Sequence, residues 1–232
     1  MIQRSEVHNQ RAKLSWTDGR VPVSLDFDDP YFSLKNGWEE ALYVFLGGND
    51  LPARFVDGFH VAELGFGAGL NFLATMMEWR AAGSPGVLRF TSFEAFPMEL
   101  DDMDAALALF PEVANTSAEM MLALRRGGWV HDFGDVILEV IIGDARTTLP
   151  DWDEQADAWY LDGFSPAKNP ELWSPQMMQC VADHTVSTGT AATYTSAGFV
   201  RRGLEDAGFD VTRAKGFGRK IHMIVAKMKA ET

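Results

Sequence analysis

Three glycines at alternate positions constrain this chain more than any other feature: Gly65, Gly67 and Gly69 follow a short apolar run, residues 59–64. That run is typical of a buried strand, and a helical pattern at residues 71–82 follows the last glycine. In open parallel sheets, a strand, a glycine turn and a helix N-terminus form a nucleotide site beyond the carboxyl end of the strand. The stretch therefore predicts an α/β fold with a mostly parallel sheet and a cofactor loop.

The spacing of the glycines indicates which kind of cofactor the loop suits. A dinucleotide fingerprint requires G-x-G-x-x-G, and Leu70 occupies the place of its third glycine. The spacing found is E-x-G-x-G-x-G, beginning at Glu63, which suits S-adenosylmethionine (SAM) better than a pyrophosphate. The alternative is a glycine-rich turn that needs positive φ angles and binds nothing.

Length and composition suit an enzyme-sized unit of 232 residues, 47% of them hydrophobic. We expect residues 1–58 to be an N-terminal extension packing on the core, and residues 59–232 to form the cofactor-binding domain. Residues 1–10 contain no apolar signal region, and no window approaches the roughly 18 apolar residues of a membrane span. We therefore expect a cytoplasmic protein without a membrane partner.

Cysteine and histidine give no sign of a metal site. Cys180 is the single cysteine, so neither a disulfide framework nor a C-x-x-C site can form. The five histidines are scattered without the spacing of metal ligands. We expect no bound metal.

Charge is unevenly distributed along the chain. The net charge of −13 argues against a broad basic surface of the kind that nucleic-acid-binding proteins usually have. Residues 201–220 nevertheless hold six basic side chains against three acidic ones, giving +3 for this segment and −16 for the remainder. The segment predicts contacts to phosphate groups, and the alternative is a solvated helix face and hairpin.

Two acids stand where predicted strands end. The second predicted strand, residues 87–94, ends at Glu94, whose acceptor-only carboxylate can bond both hydroxyls of a ribose. The alternative for Glu94 is a solvated loop acid. Asp144 follows the third predicted strand, residues 135–142, and can either accept an adenine amino group or cap the next turn.

The fourth predicted strand, residues 157–161, runs straight into the sequence D-G-F-S-P-A-K-N-P at residues 162–170. In open α/β sheets, functional residues lie in the loops at such strand ends. The loop at this strand end begins with the carboxylate of Asp162. Two prolines stiffen the loop, and Phe164 and Trp173 could hold a planar ring. The segment predicts a reaction site.

Several helix ends follow from capping residues. Apolar spacing predicts a helix at residues 38–46, ended by Gly47 and Gly48 with a glycine in the left-handed conformation, or alternatively by a loop that folds over the cofactor. Asn169 and Ser174, each followed by proline, are predicted N-caps. Ser196 is predicted to cap a helix at residues 197–207.

The end of the chain completes the predicted sheet. A fifth strand is predicted at residues 190–195, and two more at residues 209–212 and 221–226. The last two are joined by so few residues that they must pair antiparallel, since a parallel crossover needs a dozen or more. A mostly parallel sheet with a C-terminal antiparallel hairpin is the arrangement of the Rossmann-like SAM-dependent methyltransferases.

Three stretches of sequence resemble one family. They are residues 37–49 (G-W-E-E-A-L-Y-V-F-L-G-G-N), residues 161–173 (L-D-G-F-S-P-A-K-N-P-E-L-W), and residues 195–204 (T-S-A-G-F-V-R-R-G-L) with 215–220 (K-G-F-G-R-K). The chain is similar here to the methyltransferase domain of the tRNA 5-methylaminomethyl-2-thiouridine biosynthesis proteins (MnmC) and to its stand-alone counterpart (MnmD). The resemblance covers residues 29–226, and its middle stretch is highly specific.

The resemblance implies SAM-dependent methylation of the amine of 5-aminomethyl-(2-thio)uridine at the tRNA wobble position, with Asp162 as the catalytic residue. The cofactor-binding residues that it implies are Glu63, Gly65, Phe66, Gly67, Gly69, Asn71, Glu94, Asp144 and Ala145. The substrate-binding residues are Phe164, Lys168, Asn169 and Trp173. The tRNA-binding residues are Arg201, Arg202, Lys215, Arg219 and Lys220.

One departure from the family concerns length, because bifunctional members continue into a flavin-dependent oxidase and this sequence ends at Thr232. Either a separate enzyme supplies the amine, or the sequence is a fragment of a longer protein. Two other functions stay open: a methyltransferase for another amine or nucleobase, and a non-catalytic SAM-binding RNA partner. An NAD-dependent dehydrogenase is disfavoured by the glycine spacing.

Overall fold

A mixed sheet of eight strands runs through the computed structural model, which describes residues 11–17, 21–33 and 37–230. A second sheet of three short strands precedes it in the chain. In chain order the strands are β1 (Leu14–Thr17), β2 (Val21–Ser24), β3 (Asp29–Pro30), β4 (His60–Leu64), β5 (Leu88–Glu94), β6 (Val130–Asp132), β7 (Val136–Ile142), β8 (Ala156–Leu161), β9 (Thr185–Thr193), β10 (Phe209–Lys215) and β11 (His222–Met228).

In the part of the chain that the structure describes, seven α-helices connect these strands. They are α1 (Gly37–Glu40), α2 (Leu70–Ala81), α3 (Leu100–Leu107), α4 (Ala114–Arg125), α5 (Ala145–Thr148), α6 (Pro175–Asp183) and α7 (Gly198–Asp206). A π-helix at Ala41–Leu46 continues α1, and four 3₁₀ turns lie at Gly47–Asn49, Pro111–Val113, Leu149–Asp151 and Pro170–Trp173.

The large sheet has the strand order β10-β11-β9-β8-β4-β5-β7-β6. Neighbouring strands from β9 to β7 pair in parallel, whereas β6, β11 and β10 pair antiparallel with their neighbours. The predicted mostly parallel sheet with a C-terminal antiparallel hairpin is confirmed. The final hairpin is longer than predicted, and β9 begins five residues earlier than expected, at Thr185.

The order of strands reverses between β4 and β8, because β5 and β7 lie on one side of β4 and β8 and β9 on the other. In open α/β sheets, such a switch point opens a crevice at the carboxyl ends of the strands. Here the amide of Gly65, just after β4, donates to Phe93 (2.9 Å), and that of Asp162, just after β8, donates to Leu64 (3.2 Å). The two predicted functional loops therefore start side by side.

Two buried clusters cover the two faces of this sheet. One contains Phe72, Phe90 and Tyr160 on the side of α2, and the other contains Phe93 and Trp159 on the side of α6 and α7. Every residue of β4 is buried, including His60 and Glu63, and α2 buries most of its length. Because side chains alternate along a strand, Glu63, Ser92, Glu94 and Asp162 all point to the α2 side.

The N-terminal part of the chain packs on this core as far as it is described. Ala41, Val44, Phe45 and Leu46 belong to the same buried cluster as Phe72. The sheet β1-β2-β3 lies in this part and escaped the sequence prediction, because its strands have only two to four residues. The division at residues 58 and 59 stays a prediction, and part of the extension (residues 1–10, 18–20 and 34–36) lies outside the described residues.

The predicted glycine cap after residue 46 is wrong. Gly47 has φ −60°, in the right-handed region, and the left-handed residue is Asp50, with φ 57°. Gly48 is needed for a different reason: a Cβ atom there would lie 2.7 Å from Cβ of Ala192 in β9. The close approach of this turn to the sheet excludes any larger residue.

Of the three predicted N-caps, one is confirmed. Ser174 caps α6 by accepting from the amide of Met177, at 3.3 Å. The cap predicted at Ser196 is wrong, because α7 begins one residue later and its N-cap is Ala197, whose side chain cannot accept a bond. Asn169 precedes a 3₁₀ turn with φ −135° and ψ 60°, and within the described residues its side chain makes no capping bond.

Candidate active site

A cavity of about 670 Å³ lies at the carboxyl ends of β4, β5 and β8. The glycine loop and the loop after β8 form two of its walls, and residues 27–33 form a third. The aromatic side chains around it are those of Phe27, Tyr31, Phe32, Phe45, Phe66, Phe93, Phe96, Phe164 and Tyr194. The volume is in the range of small-molecule sites.

All three glycines of the loop have positive φ: +96° at Gly65, +53° at Gly67 and +81° at Gly69. Side chains would also be too close, since a Cβ atom at Gly65 would lie 2.9 Å from the carbonyl oxygen of Asp162 and one at Gly67 3.2 Å from Tyr31. Gly65, Phe66 and Gly67 line the cavity. Gly65 and Gly67 thus let the backbone itself form the cavity wall, whereas Gly69, the N-cap of α2, allows the turn and does not line the cavity, contrary to its predicted role.

Glu94 lies at the end of β5, where the sequence placed it, and lines the cavity. It is buried, with one carboxylate oxygen accepting from the amide of Gly67 (3.0 Å) and the other from Phe96 (2.7 Å). Burial raises its pKa, and the backbone hydrogen bonds oppose that rise. Each oxygen keeps a further lone pair, so acceptance from two ribose hydroxyls is chemically open, although that role stays a prediction.

Asp144 lines the cavity from the N-terminus of α5, beside buried Ala145. Its carboxylate accepts from the backbone amide of Arg146 at 2.9 Å and also pairs with the guanidinium of that residue. The hydrogen bonds from Arg146 lower the pKa of Asp144. The structure therefore shows the capping alternative, and the adenine role stays a prediction in which the ligand would share this carboxylate with Arg146.

Asp162 lines the cavity and is tied to the glycine loop through Asn71. The amide nitrogen of Asn71 donates to Oδ2 of Asp162 at 2.7 Å and to Oε1 of Glu63 at 2.8 Å. Burial raises the pKa of Asp162 to about 8, the hydrogen bond from Asn71 lowers it, Glu40 raises it and Lys220 lowers it. Asp162 is therefore a stronger base than an ordinary aspartate, positioned beside the loop.

Glu63 does not line the cavity, contrary to its predicted role as a cofactor ligand. Its side chain is completely buried, and its two oxygens accept from Asn71 and from the hydroxyl of Ser92, each at 2.8 Å. Burial raises the pKa of Glu63 to about 8 and the Asp162 carboxylate raises it too, whereas Asn71 and Ser92 lower it. Alternation directs residue 63 to the α2 side, and its position inside β4, before the strand ends at Leu64, keeps it beneath α2, whereas Asp162 lies beyond the end of β8.

The loop after β8 is held by its neighbours. Tyr194 donates its hydroxyl to the carbonyl oxygen of Gly163 at 2.8 Å, and Ser165 donates its amide to Asp29 at 2.8 Å. Phe164 lines the cavity and stacks on Phe27, with ring centroids 4.7 Å apart. The loop is thus fixed from the side of β9 and from the N-terminal residues.

Trp173 and Lys168 do not take the places predicted for them. Trp173 is only 2% exposed, and its indole nitrogen donates to the carbonyl oxygen of Phe164 at 2.8 Å, so it supports the loop from beneath instead of meeting a planar ring. Lys168 bonds the backbone oxygen and the carboxylate of Asp28, which ties the loop to the N-terminal residues. Asn169 lines the cavity, and its role in substrate binding stays a prediction.

Of the five basic residues predicted to bind tRNA, only Lys220 lines the cavity. Its ammonium bonds Glu40 at 2.7 Å and lies 4.1 Å above the ring of Tyr194. Lys215 and Arg219 are exposed on the same β10–β11 hairpin, whereas Arg201 pairs with Glu205 and Arg202 is exposed on α7. The structure therefore divides the basic segment between the hairpin and the helix.

The sequence did not predict many of the residues that line the cavity, among them Phe27, Tyr31, Glu40 and Tyr194. Glu40 stood in one of the three stretches that carried the family resemblance, so a signal was available. The others lie in segments without a motif, and only the folded chain brings them to the cavity.

The cavity suits SAM by its own geometry. The wall formed by Gly65 and Gly67 leaves room for a ligand, because neither residue has a side chain, and a Cβ atom at Gly67 would lie 3.2 Å from Tyr31. Glu94 presents hydrogen-bond acceptors in the same cavity. The carboxylates of Glu94 and Asp162 suit a positively charged ligand. Within residues 11–17, 21–33 and 37–230, no group of three or more His, Cys, Asp or Glu side chains could hold a metal ion. Fold and cavity together define the class of SAM-dependent methyltransferases.

The comparison with known families agrees with that class. The sequence profile of an S-adenosyl-L-methionine-dependent methyltransferase family matches residues 112–229, which are 118 of the 232 residues. The chain belongs to this family, and SAM is its cofactor. None of the helices in the described part of the chain has the length and apolar character needed to cross a membrane.

Individual relatives carry a more specific name. The tRNA 5-methylaminomethyl-2-thiouridine biosynthesis bifunctional protein MnmC of Stutzerimonas stutzeri is 42% identical over 96% of this chain, and the protein of that name from Hahella chejuensis is 42% identical over 95%. The chain covers only 36% and 37% of those two proteins. It therefore spans about a third of the length of the curated relatives that it matches.

Solved structures give the same picture. The crystal structure of MnmC2 from Aquifex aeolicus superposes with a TM-score of 0.76 at 26% identity, covering 97% of this chain and 73% of that one. Spermidine synthase from Thermotoga maritima superposes with a TM-score of 0.54 at 11% identity, covering 95% and 74%. The second likeness supports the fold alone.

The buried acids of this site should make stability depend on pH. A carboxyl group whose pKa is about 8 in the folded chain and about 4.5 in the unfolded chain keeps its proton only when folded. Between these values, the unfolding free energy falls as pH rises, by about 1.4 kcal/mol per unit for each such group. His60, whose pKa burial lowers to about 4, acts in the opposite direction, but only below about pH 6.5.

We expect the Glu63→Gln variant to lose the contribution of Glu63 to the pH dependence of the unfolding free energy. Between pH 6.5 and 8, the wild-type chain should lose about 2 kcal/mol more of unfolding free energy than the variant. Urea titrations at several pH values measure both curves. Parallel curves would show that Glu63 is ionised in the folded chain throughout.

Proposed function

We propose that this chain transfers the methyl group of SAM to the amine of 5-aminomethyl-(2-thio)uridine at the wobble position of tRNA. The names of the relatives support the substrate, since they are 42% identical over nearly the whole of this chain. The observation that carries the proposal is the carboxylate of Asp162 in a cavity beside the glycine loop. A tRNA substrate also implies a cytoplasmic location.

When bound, SAM would supply an electrophilic methyl carbon. The amine nitrogen would bond to this carbon in line as the carbon–sulfur bond breaks, and S-adenosylhomocysteine would leave. The protein must hold the amine in its neutral form and direct its lone pair. Asp162 can accept a hydrogen bond from the amine and take the proton that the nitrogen loses. Positioning of this kind can contribute about 7–11 kcal/mol, and a general base about 10²–10⁴-fold.

The surroundings of Asp162 favour this role. Burial raises the pKa of Asp162 to about 8. A general base is most effective when its pKa is near the working pH, so this value suits a base near neutral pH. Phe164 and Tyr31 offer aromatic faces beside it, and their ring centroids lie 5.0 Å apart. We assign the uracil ring to these two residues. We assign the cofactor ribose to Glu94, and the adenine end of the site to Asp144 and Ala145.

The acidic lining of the cavity should discriminate between related substrates. Six acids line it, against the two cations of Arg146 and Lys220; the acids are Asp29, Glu40, Glu94, Asp144, Asp162 and Glu171. A carboxymethylaminomethyl group brings a further negative charge, which these acids repel. We expect methylation of aminomethyl-modified tRNA and none of the carboxymethylaminomethyl form, as measured by mass spectrometry of the digested tRNA.

This assay also tests the proposed function. Turnover on aminomethyl-modified tRNA is the expected result. Activity on protein or small amines only would show a methyltransferase with another substrate, and SAM binding without any turnover would show a non-catalytic RNA partner. In the proposed pathway, a separate oxidase activity removes the carboxymethyl group and supplies the amine.

We further propose that the β10–β11 hairpin binds tRNA phosphates. Arg219 and Lys215 are exposed there, and Lys220 on the same hairpin reaches the cavity mouth. Binding to phosphates makes affinity depend on salt, and the slope falls by about one for each cation–phosphate pair that is removed. The Arg219→Ala variant should raise KM for tRNA and flatten this slope.

Arg126→Ala is the matched control for that variant. Arg126 is exposed after α4, next to β6 at the opposite edge of the sheet, so its loss changes the net charge equally. We expect its salt slope to equal that of the wild type. If both variants flatten the slope alike, the effect comes from net charge and the hairpin is only a solvated surface.

A further inference from the structure

Glu63 is a buried acid that makes no contact with the cavity, although the sequence motif begins with it. It is completely buried at the end of β4, the central strand of the switch point. A buried carboxyl group is costly unless its oxygens are hydrogen-bonded, and both oxygens of Glu63 are, to Asn71 and Ser92. Such an arrangement calls for a purpose other than packing, because an apolar side chain would fill the same space at less cost.

The partner that matters is Asn71, in the first turn of α2. Its amide group offers two N–H donors, and both are used, one for Glu63 and one for Asp162. The backbone oxygen of Asn71 accepts from the hydroxyl of Thr75 at 2.7 Å, and that hydroxyl lies 3.1 Å from the hydroxyl of Tyr160 in β8. The side-chain amide is therefore held by Glu63 in β4 and by Asp162 after β8, while Thr75 bonds only the backbone of the same helical turn.

A side-chain amide can rotate by half a turn, which exchanges its oxygen and its nitrogen. If Asn71 did so, its carbonyl oxygen would face the carboxylate of Asp162 and repel it. Glu63 opposes that rotation, because its own oxygen would then face the same carbonyl. Glu63 is thus a second acceptor, besides Asp162, that keeps the nitrogen end of Asn71 toward Asp162.

We infer that Glu63 is a positioning residue for the proposed methyl transfer, acting through Asn71 to fix the carboxylate of Asp162. Oδ2 of Asp162 is occupied by Asn71. In the described part of the chain no donor is bonded to Oδ1, which leaves this oxygen for the amine. The effect on catalysis rests on the proposed function, whereas the geometry can be tested in the free protein without turnover.

Glutamine at position 63 should preserve the arrangement. Its carbonyl oxygen can accept from Asn71, and its amide can donate to the hydroxyl of Ser92, which accepts as well as donates. Leucine has a similar size but no acceptor, so Asn71 would lose its orienting partner. The pair of variants separates the hydrogen bond from the volume of the side chain.

The experiment compares Glu63→Gln and Glu63→Leu in three measurements. We expect Glu63→Gln to keep kcat within about threefold, and Glu63→Leu to lower it about 30-fold, because small misplacements of a catalytic group are costly. SAM affinity, measured by calorimetry, should change less than threefold in both. The acid limb of the pH profile should move to higher pH in Glu63→Leu only, since the bond from Asn71 lowers the pKa of Asp162.

Exchange of the Asn71 side-chain amide hydrogens, followed by NMR in the free protein, tests the geometry without turnover. It should be slow in the wild type and in Glu63→Gln, and at least tenfold faster in Glu63→Leu. Ser92→Ala, which removes one anchor of Glu63, should show an intermediate rate and serves as well if Glu63→Leu does not fold. If the wild type has no activity on aminomethyl-modified tRNA, the proposed function fails, but the exchange rates still decide the geometry.

Three results would overturn the inference. Loss of SAM binding in Glu63→Leu with kcat intact would make Glu63 part of the cofactor site. Equal damage in Glu63→Gln and Glu63→Leu would mean that the acid group itself, and not the orientation of Asn71, is required. Unchanged amide exchange in Glu63→Leu and Ser92→Ala would show that Asn71 is held without Glu63.

Discussion

The Asp162→Asn variant is expected to lose at least 100-fold in kcat while its SAM affinity changes little. Asparagine has nearly the same shape and can still accept the hydrogen bond from Asn71, but it carries no negative charge and is a very poor base. The loss therefore reports on proton removal and on orientation of the amine lone pair, which together belong to the transition state. Single-turnover kinetics with saturating SAM would measure the chemical step directly.

The pH profile provides a second measure of the same change. Since burial raises the pKa of Asp162 to about 8, kcat/KM of the wild type should fall about tenfold per unit as pH drops well below that value. The variant lacks this base, so its maximum should move to higher pH, where solvent leaves more of the amine neutral. Asp101→Asn, an exposed change on α3, is the control and should behave as the wild type.

Normal kcat and normal pH dependence in Asp162→Asn would show that positioning alone drives the transfer. A rise in the KM for tRNA with kcat largely retained would indicate that Asp162 mainly holds the ammonium form of the substrate. Either result would leave the cavity assigned but would remove Asp162 as the base.

The Gly67→Val variant is expected to weaken SAM binding by at least 100-fold while the chain still folds. Gly67 has φ +53°, and its Cβ atom would lie 3.2 Å from Tyr31. A branched side chain would thus project into the cavity from a wall that is otherwise backbone, and would clash with any ligand held against it. Calorimetry with SAM measures the loss.

Gly58→Val separates that effect from backbone strain. Gly58 also has positive φ, +75°, but no atom lies within 4 Å of its Cβ position. Both variants should lose about 1–2 kcal/mol of stability from the left-handed conformation. Only Gly67→Val should lose the cofactor, and equal SAM affinity in the two folded variants would remove the glycine loop from the site.

Local sequence patterns were enough to predict several strands of the large sheet and its C-terminal hairpin. The apolar runs around β4, β7 and β8 and the short connection between β10 and β11 gave the strands and the antiparallel hairpin. Alternation along a strand could also have placed Glu63 and Asp162 on one face, because each lies two residues beyond a buried position facing α2, namely Val61 and Tyr160. Alternation does not by itself separate them, since Asp162 lies just beyond the end of β8 and lines the cavity, whereas Glu63 lies inside β4 and does not.

Other features depend on contacts between distant parts of the chain. Lys220 meets Glu40 across 180 residues, and Asp29 meets Ser165 across 136. Trp173 looked like a stacking platform because an aromatic residue beside a functional loop suits both a ligand and the core. Only the packing of α6 against the sheet decides between the two.

The third wall of the cavity, formed by residues 27–33, limits how the protein can be shortened without losing its function. A truncated protein starting at residue 59 would retain the glycine loop and Asp162. It would lack the ring of Tyr31 next to Gly67, the Glu40 partner of Lys220 and the buried side chain of Phe45. The smallest piece that can be transplanted or fused as a working enzyme therefore has to begin before residue 27, and any attached partner has to leave residues 27–33 in place against the cavity.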